Sequence, residues 1–316
     1  MITALVTGGT GFVGSHVARA LVQRGYGVRI LRRTTSRLDA IADLDCEHAI
    51  GDVMDPESLT AAMQGVDWVF HTAAVADYWR NDPARIYAVN VDGTRNVLLA
   101  AEAAGVKRVI FTSSAAAMGY RTDLRPVDES VRFNFDQHIT PYGHSKFLAE
   151  AEVYRAIRRG LDCVILNPTV IIGPGDLNQI SSSVVVEAAR GNVPPTAPPG
   201  GVTLIDVRDV AEAHVAAAER GRTGERYLLG AVDLTHKAWL RLTAHTVGRS
   251  RMAVTLPAPL VRGVAVAADV LRRYGVPVPI EGNQLRLSTN MMFYDCRKSW
   301  LELGAPSVPI QQSLRE

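Results

Sequence analysis

Tyr142 and Lys146 stand four residues apart in Pro141–Arg159, a segment whose apolar spacing predicts a helix. That separation puts both side chains on one helical face, one turn apart. A phenol with a reference pKa of ~10 is a poor acid–base group. A neighbouring ammonium favours the phenolate and brings that pKa down. Lys146 can also hold the ribose hydroxyls of a nicotinamide cofactor, so Tyr142 and Lys146 are expected to bind that cofactor as well. Upstream, Ser114 closes the run Phe111-Thr112-Ser113-Ser114, at the end of a stretch that reads as a strand. A hydroxyl at a strand end can donate to a carbonyl oxygen as negative charge grows on it. Ser114, Tyr142 and Lys146 are therefore the candidate catalytic residues, suited to proton transfer that accompanies hydride transfer. Ser113 is a second candidate for the hydroxyl, or a cap for the turn.

A hydride carrier is implied by a second constellation. Gly8, Gly11 and Gly14, with Thr10, Phe12 and Val13 between them, follow a β-rich run and open a helical one. This strand–turn–helix setting is what a glycine-rich dinucleotide loop requires. Glycine permits the tight turn, lets a pyrophosphate approach the backbone, and lets the helix pack closely on the sheet. The helix N-terminus then offers N–H groups and a favourable dipole to the phosphates. At the end of the second strand a carboxylate would hold the ribose 2′-hydroxyl of NAD. Here stand Arg32 and Arg33, with Arg37 beyond. Guanidinium groups bind a 2′-phosphate through paired hydrogen bonds. NADP(H) is favoured, and NAD(H) stays open. Asp52, with Val53 beside it, is placed to accept from the adenine amine, or to cap the helix ahead of Pro56.

These residues need a scaffold that brings strand ends together. Strands are expected at 2–7, 28–31, 46–50, 67–70, 108–112 and 163–166. Helices are expected at 12–24, 56–63, 84–104, 141–159 and 207–220. This alternation predicts an α/β fold with a doubly wound parallel sheet of the Rossmann type. After Pro168 the pattern loosens, and the tail predicts a smaller, mostly helical substrate lobe. The expected division assigns 1–167 and 203–231 to the nucleotide-binding domain, and 168–202 and 232–316 to the lobe. Leu256–Leu271 is apolar but too short for a membrane span, and reads as a buried or pocket-lining helix.

Composition narrows the partners. The 316 residues carry 34 basic and 32 acidic side chains, a net charge of +2, with no basic block. Nucleic acid is therefore not an expected partner. Cys46, Cys163 and Cys296 are too sparse and widely spaced for a disulfide framework or a metal site. No basic region followed by an apolar core begins the chain, so a cytoplasmic location is expected.

Taken in order, the motifs resemble those of the extended short-chain dehydrogenases/reductases over nearly the whole chain. They run from the glycine loop through Gly51-Asp52, His71-Thr72-Ala73-Ala74 and Asn90-Val91-Asp92-Gly93-Thr94-Arg95-Asn96-Val97. They continue with Thr112-Ser113-Ser114, Tyr142-Gly143-His144-Ser145-Lys146, Asn167-Pro168-Thr169, Gly173-Pro174-Gly175 and Asp206–Ala211. The look is nearest to dihydroflavonol-reductase-like and sugar-epimerase-like members. The resemblance implies that Ala73 and Ala74 line the cofactor, that Asn90 is a supporting asparagine, and that Pro168 and Thr169 lie by the nicotinamide. It places Arg33 at the basic position used for NADP. Sugar dehydratases of this family carry an Asp-Glu pair where this chain has Ala115 and Ala116. The arginine with which nucleotide-sugar enzymes hold a diphosphate is missing from Val202-Thr203-Leu204.

The expected activity is reduction of a carbonyl on a fairly apolar small molecule. A nucleotide-sugar epimerase and a non-catalytic NADP(H)-sensing regulator are the alternatives. Tyr78, Trp79, Ala115, Met118 and Asn167 are candidate substrate contacts, with core packing the other reading of Met118. Asn178, Gln179, Ser182 and the tail from Leu256 to Arg286 are further candidates. A homodimer through the helices at 84–104 and 141–159 would use Leu98, Leu99, Phe147, Leu148 and Val153, which could equally be core.

Overall fold

The first strand sets the architecture. Along Thr3–Thr7 (β1), Ala4, Val6 and Leu5 are all fully buried, yet they enter two different hydrophobic clusters. Successive strand side chains point to opposite faces, so both faces of this strand are covered, as a parallel sheet requires. In a computed structural model, residues 1–76, 81–121, 123, 125–177, 183–249, 253–276, 278 and 281–316 are described.

The first half runs α1 (Phe12–Gln23), β2 (Gly27–Arg32), β3 (Glu47–Ile50), α2 (Pro56–Ala62), β4 (Trp68–His71) and α3 (Pro83–Tyr87). It continues with α4 (Gly93–Ala103), β5 (Arg108–Thr112), α5 (Pro141–Arg158) and β6 (Cys163–Pro168). The second half begins with β7 (Val170–Ile172), α6 (Ser183–Ala189), β8 (Thr196–Ala197), β9 (Gly201–Asp206), α7 (Val207–Arg220) and β10 (Arg226–Leu229). Next come β11 (Val232–Thr235), α8 (His236–Thr246), β12 (Val254–Thr255), α9 (Ala258–Arg273) and α10 (Gly282–Leu287). The chain closes with β13 (Met291–Met292), α11 (Arg297–Glu302) and α12 (Ile310–Ser313).

Among the described residues, seven strands form one sheet in the order β10-β6-β5-β4-β1-β2-β3. Every pairing in it is parallel. The order reverses between β1 and β4, and the crevice at such a switch point, at the strand C-termini, is where ligands bind. Helices α1 and α7 cover one face through Val17, Leu21, Val210 and Ala217. Helices α2, α4 and α5 cover the other through Leu59, Val97, Leu98, Val153 and Ala156. Leu98 and Val153 are therefore core rather than dimer surface, whereas Leu99 and Phe147 are exposed.

Several expectations need correction. The helix expected at 84–104 is interrupted by a wide π turn over Ala88–Asp92, between α3 and α4. Asp55, not Asp52, caps α2, accepting from the backbone N–H of Glu57 and Ser58. Gly201–Asp206 forms β9, which pairs outside the central sheet with β7, β11 and β13. Conversely α11 returns to β10: Ser299 Oγ donates to the Leu228 carbonyl (2.6 Å), and Trp300 Nε1 to that of Gly230 (2.8 Å). The apolar run at 256–271 forms α9, but only Val261, Ala265 and Ala268 are buried in it. Its small-residue side packs on α10, while most of its larger apolar side chains face solvent.

Candidate active site

The glycine loop is shaped by atoms that glycine lacks. Gly8 has φ +69, and a Cβ there would lie 2.8 Å from the Ala73 backbone. A Cβ on Gly14 would lie 2.3 Å from the Gly8 carbonyl oxygen and 2.6 Å from Thr72 Oγ1. At Gly11 a Cβ would meet only the Gly8 oxygen, at 3.2 Å, so the loop is open on that side. Gly11 is also the N-cap of α1 and offers no side-chain cap, so the first-turn N–H groups of Phe12 and Val13 are not satisfied from that position. An open cradle ending in an uncapped helix N-terminus fits a pyrophosphate. Ala73 and Ala74, just past β4, flank it and are half-buried. His16 ties the loop to the Gly173–Gly175 turn through the Pro174 carbonyl, 3.0 Å from its Nε2.

The three arginines separate in the structure. Arg32 donates from Nε to His48 Nδ1 (2.9 Å), and Arg37 is paired with Asp39 (2.9 Å). Arg33 lies just beyond β2, exposed, and its guanidinium makes no ion pair among the described residues. Asp52 Oδ1 accepts from the Met54 backbone (3.0 Å), and Val53 is buried against Gly93.

The catalytic corner is built where β5 ends beside α5. Thr140 caps α5 through Gly143 N, and Pro141 occupies its first turn. Tyr142, half-buried, follows at once. Ser114 Oγ accepts from Ala116 N (3.1 Å), which leaves its proton to be donated outward. It is thus Ser114, not Ser113, that caps the short turn at Ala115–Ala117. A Cβ on Gly143 would sit 2.4 Å from the Ala116 carbonyl, so glycine there is what lets the Tyr142 helix touch the Ser114 turn.

Lys146 is wholly buried. Its Nζ donates to the Thr112 carbonyl (2.7 Å) and lies 4.9 Å from the Phe111 ring centre. Burial brings its pKa down to about 7, opposed by the nearby Glu150 carboxylate. Asn90 holds the corner from the other side. Its Oδ1 accepts from Val75 N, and its Nδ2 donates to the Val75 carbonyl and to Ser145 Oγ (2.9 Å). The π turn presents Asn90 inward, a use for which such turns recur at functional sites.

Sequence reasoning missed the group behind the trio. Glu150, one turn beyond Lys146 and 3% exposed, accepts from Ser113 Oγ (2.5 Å) and from Asn167 Nδ2 (2.6 Å). Arg226 Nε lies 3.4 Å from its other oxygen. Burial pushes the Glu150 carboxyl up, and Arg226 is the first of the groups that pull it back. Asn167 Nδ2 also reaches the Ser114 carbonyl (3.0 Å). A buried carboxylate costs several kcal/mol unless paired and hydrogen-bonded, and these partners meet that condition. His71 is likewise buried, between Thr7 Oγ1 (2.8 Å) and Thr94 Oγ1 (3.0 Å), with its pKa brought down to about 3 by burial and by Lys146.

The expected substrate contacts fare differently. Asn167 is fully buried and braces the Ser114 turn, so it does not face a substrate. Ala115 and Met118 are buried in an apolar cluster with Val127, Leu228 and Tyr294, which makes them packing beneath that turn. Pro168 is buried, while Thr169 turns its hydroxyl to the Leu229 carbonyl (2.9 Å). Tyr78, Trp79, Asn178, Gln179 and Ser182 lie outside the described residues.

The sequence profile of the NAD-dependent epimerase/dehydratase family matches residues 4–230. The chain belongs to that family. A Synechocystis protein named as a dihydroflavonol 4-reductase is 37% identical over 98% of this chain and 92% of its own length. Sterol demethylase protein B of Methylococcus capsulatus is 34% identical over 96% of this chain and 93% of its own. The crystal structure of gox2253 superposes with a TM-score of 0.88 at 37% identity, covering 100% of this chain and 96% of that one. The chain is therefore an NAD(P)-dependent oxidoreductase-type enzyme of the extended short-chain class, built to hold a nicotinamide cofactor.

Proposed function

We propose that this enzyme reduces a ketone or aldehyde on a fairly apolar small molecule, with NADP(H) as cofactor and Tyr142 as proton donor. The observation that carries the reading is Lys146, buried one turn from Tyr142 and held at the β5 end beside Ser113 and Ser114. When bound, the reduced nicotinamide supplies the hydride. Ser114 donates its hydroxyl proton to the carbonyl oxygen and holds it as charge develops. Tyr142 transfers its proton to that oxygen. Lys146, as an ammonium, lowers the Tyr142 pKa so that the phenol gives the proton up. With a pKa of about 7 it is the group whose charge sets the alkaline limit of this help.

Arg33 supports the NADP preference, because it is the cation at the end of β2 that Asp39 and His48 do not engage. The alanines where sugar dehydratases place an acid pair, and the diphosphate-binding arginine missing ahead of β9, favour reduction over dehydration or nucleotide-sugar epimerisation. Relatives named for flavonoid and sterol chemistry support an apolar substrate. The test is to follow NADPH and NADH absorbance with a panel of aromatic and aliphatic carbonyl compounds, with Tyr142→Phe as control. Steady NADPH consumption that the variant loses is the expected result. Interconversion of a nucleotide sugar without net cofactor change would replace this reading with an epimerase.

A further inference from the structure

Single exposed apolar residues are normal on a protein surface, but a contiguous set is not. Helix α9 presents such a set: Leu260, Val264, Val266, Val270, Leu271 and Tyr274 are all exposed, Leu260 by 54% and Tyr274, just past the helix end, by 83%. At roughly 100° per residue these six fall within an arc of about 160°. The opposite side, Val261, Ala265 and Ala268, is buried, and Asp269 is paired with Arg286 of α10 (2.5 Å). A Cβ on Gly282 would lie 2.2 Å from Asp269 Oδ1, so α9 is seated tightly on α10 and its outward face is fixed.

The charges beside this face have one sign. Asp269 is the only acid in α9. Arg272 turns to the Val278 carbonyl (2.9 Å), on the α10 side. Arg262 and Arg273 are exposed and make no ion pair among the described residues. Being eleven residues apart, they lie on the same edge of the apolar arc, three turns from each other.

We infer that α9 is a membrane-surface helix, which seats its apolar face in the interfacial region of a bilayer while Arg262 and Arg273 meet anionic headgroups. No described helix is long and apolar enough to cross a membrane, so the contact is a surface one. An amphipathic helix with arginines bordering an apolar face lies in the interface plane in this way. Tyr274 supplies the amphipathic ring that favours the headgroup level. A second copy of the chain is a poorer occupant. A two-fold axis crossing the middle of the face at right angles to the helix would run the helices antiparallel and set Arg262 against Arg273 of the other copy. Like charges so placed oppose association.

The test is flotation of the full-length chain with vesicles of phosphatidylcholine alone and of phosphatidylcholine with phosphatidylglycerol. The chain is expected to float with the anionic vesicles and to be released as salt is raised. Val264→Glu/Leu271→Glu should abolish flotation. Arg262→Gln/Arg273→Gln should weaken it by about fivefold per arginine. All four side chains are already in water, so thermal melting is expected to be unchanged. Should the glutamate pair fail to fold, the arginine pair and the salt series decide alone. Absence of flotation, or flotation that neither pair alters, overturns the inference. So does a solution dimer that the glutamate pair dissociates. Carbonyl reduction of a water-soluble substrate is read separately and does not depend on any of these outcomes.

Discussion

The glycine loop after β1 and the corner after β5 open on the same edge of one sheet, yet they are held by opposite means. The loop is shaped by missing volume, since added methyl groups at Gly8 or Gly14 would meet backbone atoms within 2.8 Å. The corner is shaped by buried polarity: Glu150, Ser113, Asn167 and Lys146 are all enclosed, with Ser113 Oγ and Asn167 Nδ2 donating to Glu150 and Lys146 Nζ to the Thr112 carbonyl. Steric limits do not titrate, whereas a buried charge responds to every proton near it. The cofactor half should therefore fail by affinity and the catalytic half by pH.

Tyr142→Phe is the largest expected effect. Loss of a positioned general acid costs about 10²- to 10⁴-fold in turnover, with little change in cofactor binding. Single-turnover reduction together with NADPH titration of the variant checks this, and weakened NADPH binding with turnover retained would place the residue in the wrong half of the comparison. Arg33→Ser comes next. Charge-assisted hydrogen bonds of about 1.5–3 kcal/mol correspond to a rise of roughly 10- to 100-fold in KM for NADPH, with KM for NADH unchanged. An equal effect on both cofactors would remove Arg33 from the 2′-phosphate. Gly14→Ala follows: its Cβ would press on the Gly8 carbonyl, at a cost of about 1–3 kcal/mol. Thermal melting should fall and cofactor affinity with it, by the same factor at every pH.

How legible each half was follows from the same contrast. The loop, the strand-end serine and the Tyr142–Lys146 pair are local spacings, and local spacing is what a sequence displays. The parallel sheet followed likewise from alternating runs. Glu150 was in plain view four residues after Lys146, but its partners arrive from the ends of β5, β6 and β10, and no spacing rule links those positions. Asn167, a candidate substrate contact by its place in the Asn167-Pro168-Thr169 motif, is enclosed instead by Ser114 and Glu150. The run at 256–271 was correctly apolar and helical. Periodicity cannot say whether a neighbour covers a face, and α10 covers only the small-residue side of α9.

Glu150→Gln is the smallest change and the sharpest probe of the corner. The substitution keeps shape and removes one negative charge one turn from Lys146. Glu150 raises the Lys146 pKa against the lowering by burial, so its neutralisation lets that pKa fall below about 7. Lys146 is charged below its pKa and neutral above it. The variant thus loses the ammonium at a lower pH than the parent, and the alkaline limb of turnover moves toward acid. At neutral pH the loss is modest; at mildly acidic pH, where Lys146 is charged in both, the two enzymes converge. A pH profile of turnover at saturating NADPH reads this. A uniform loss across pH would reduce Glu150 to packing, and so would a limb that does not move. Glu150→Asp, which restores the charge, should return the limb toward its original position even where it does not restore full rate.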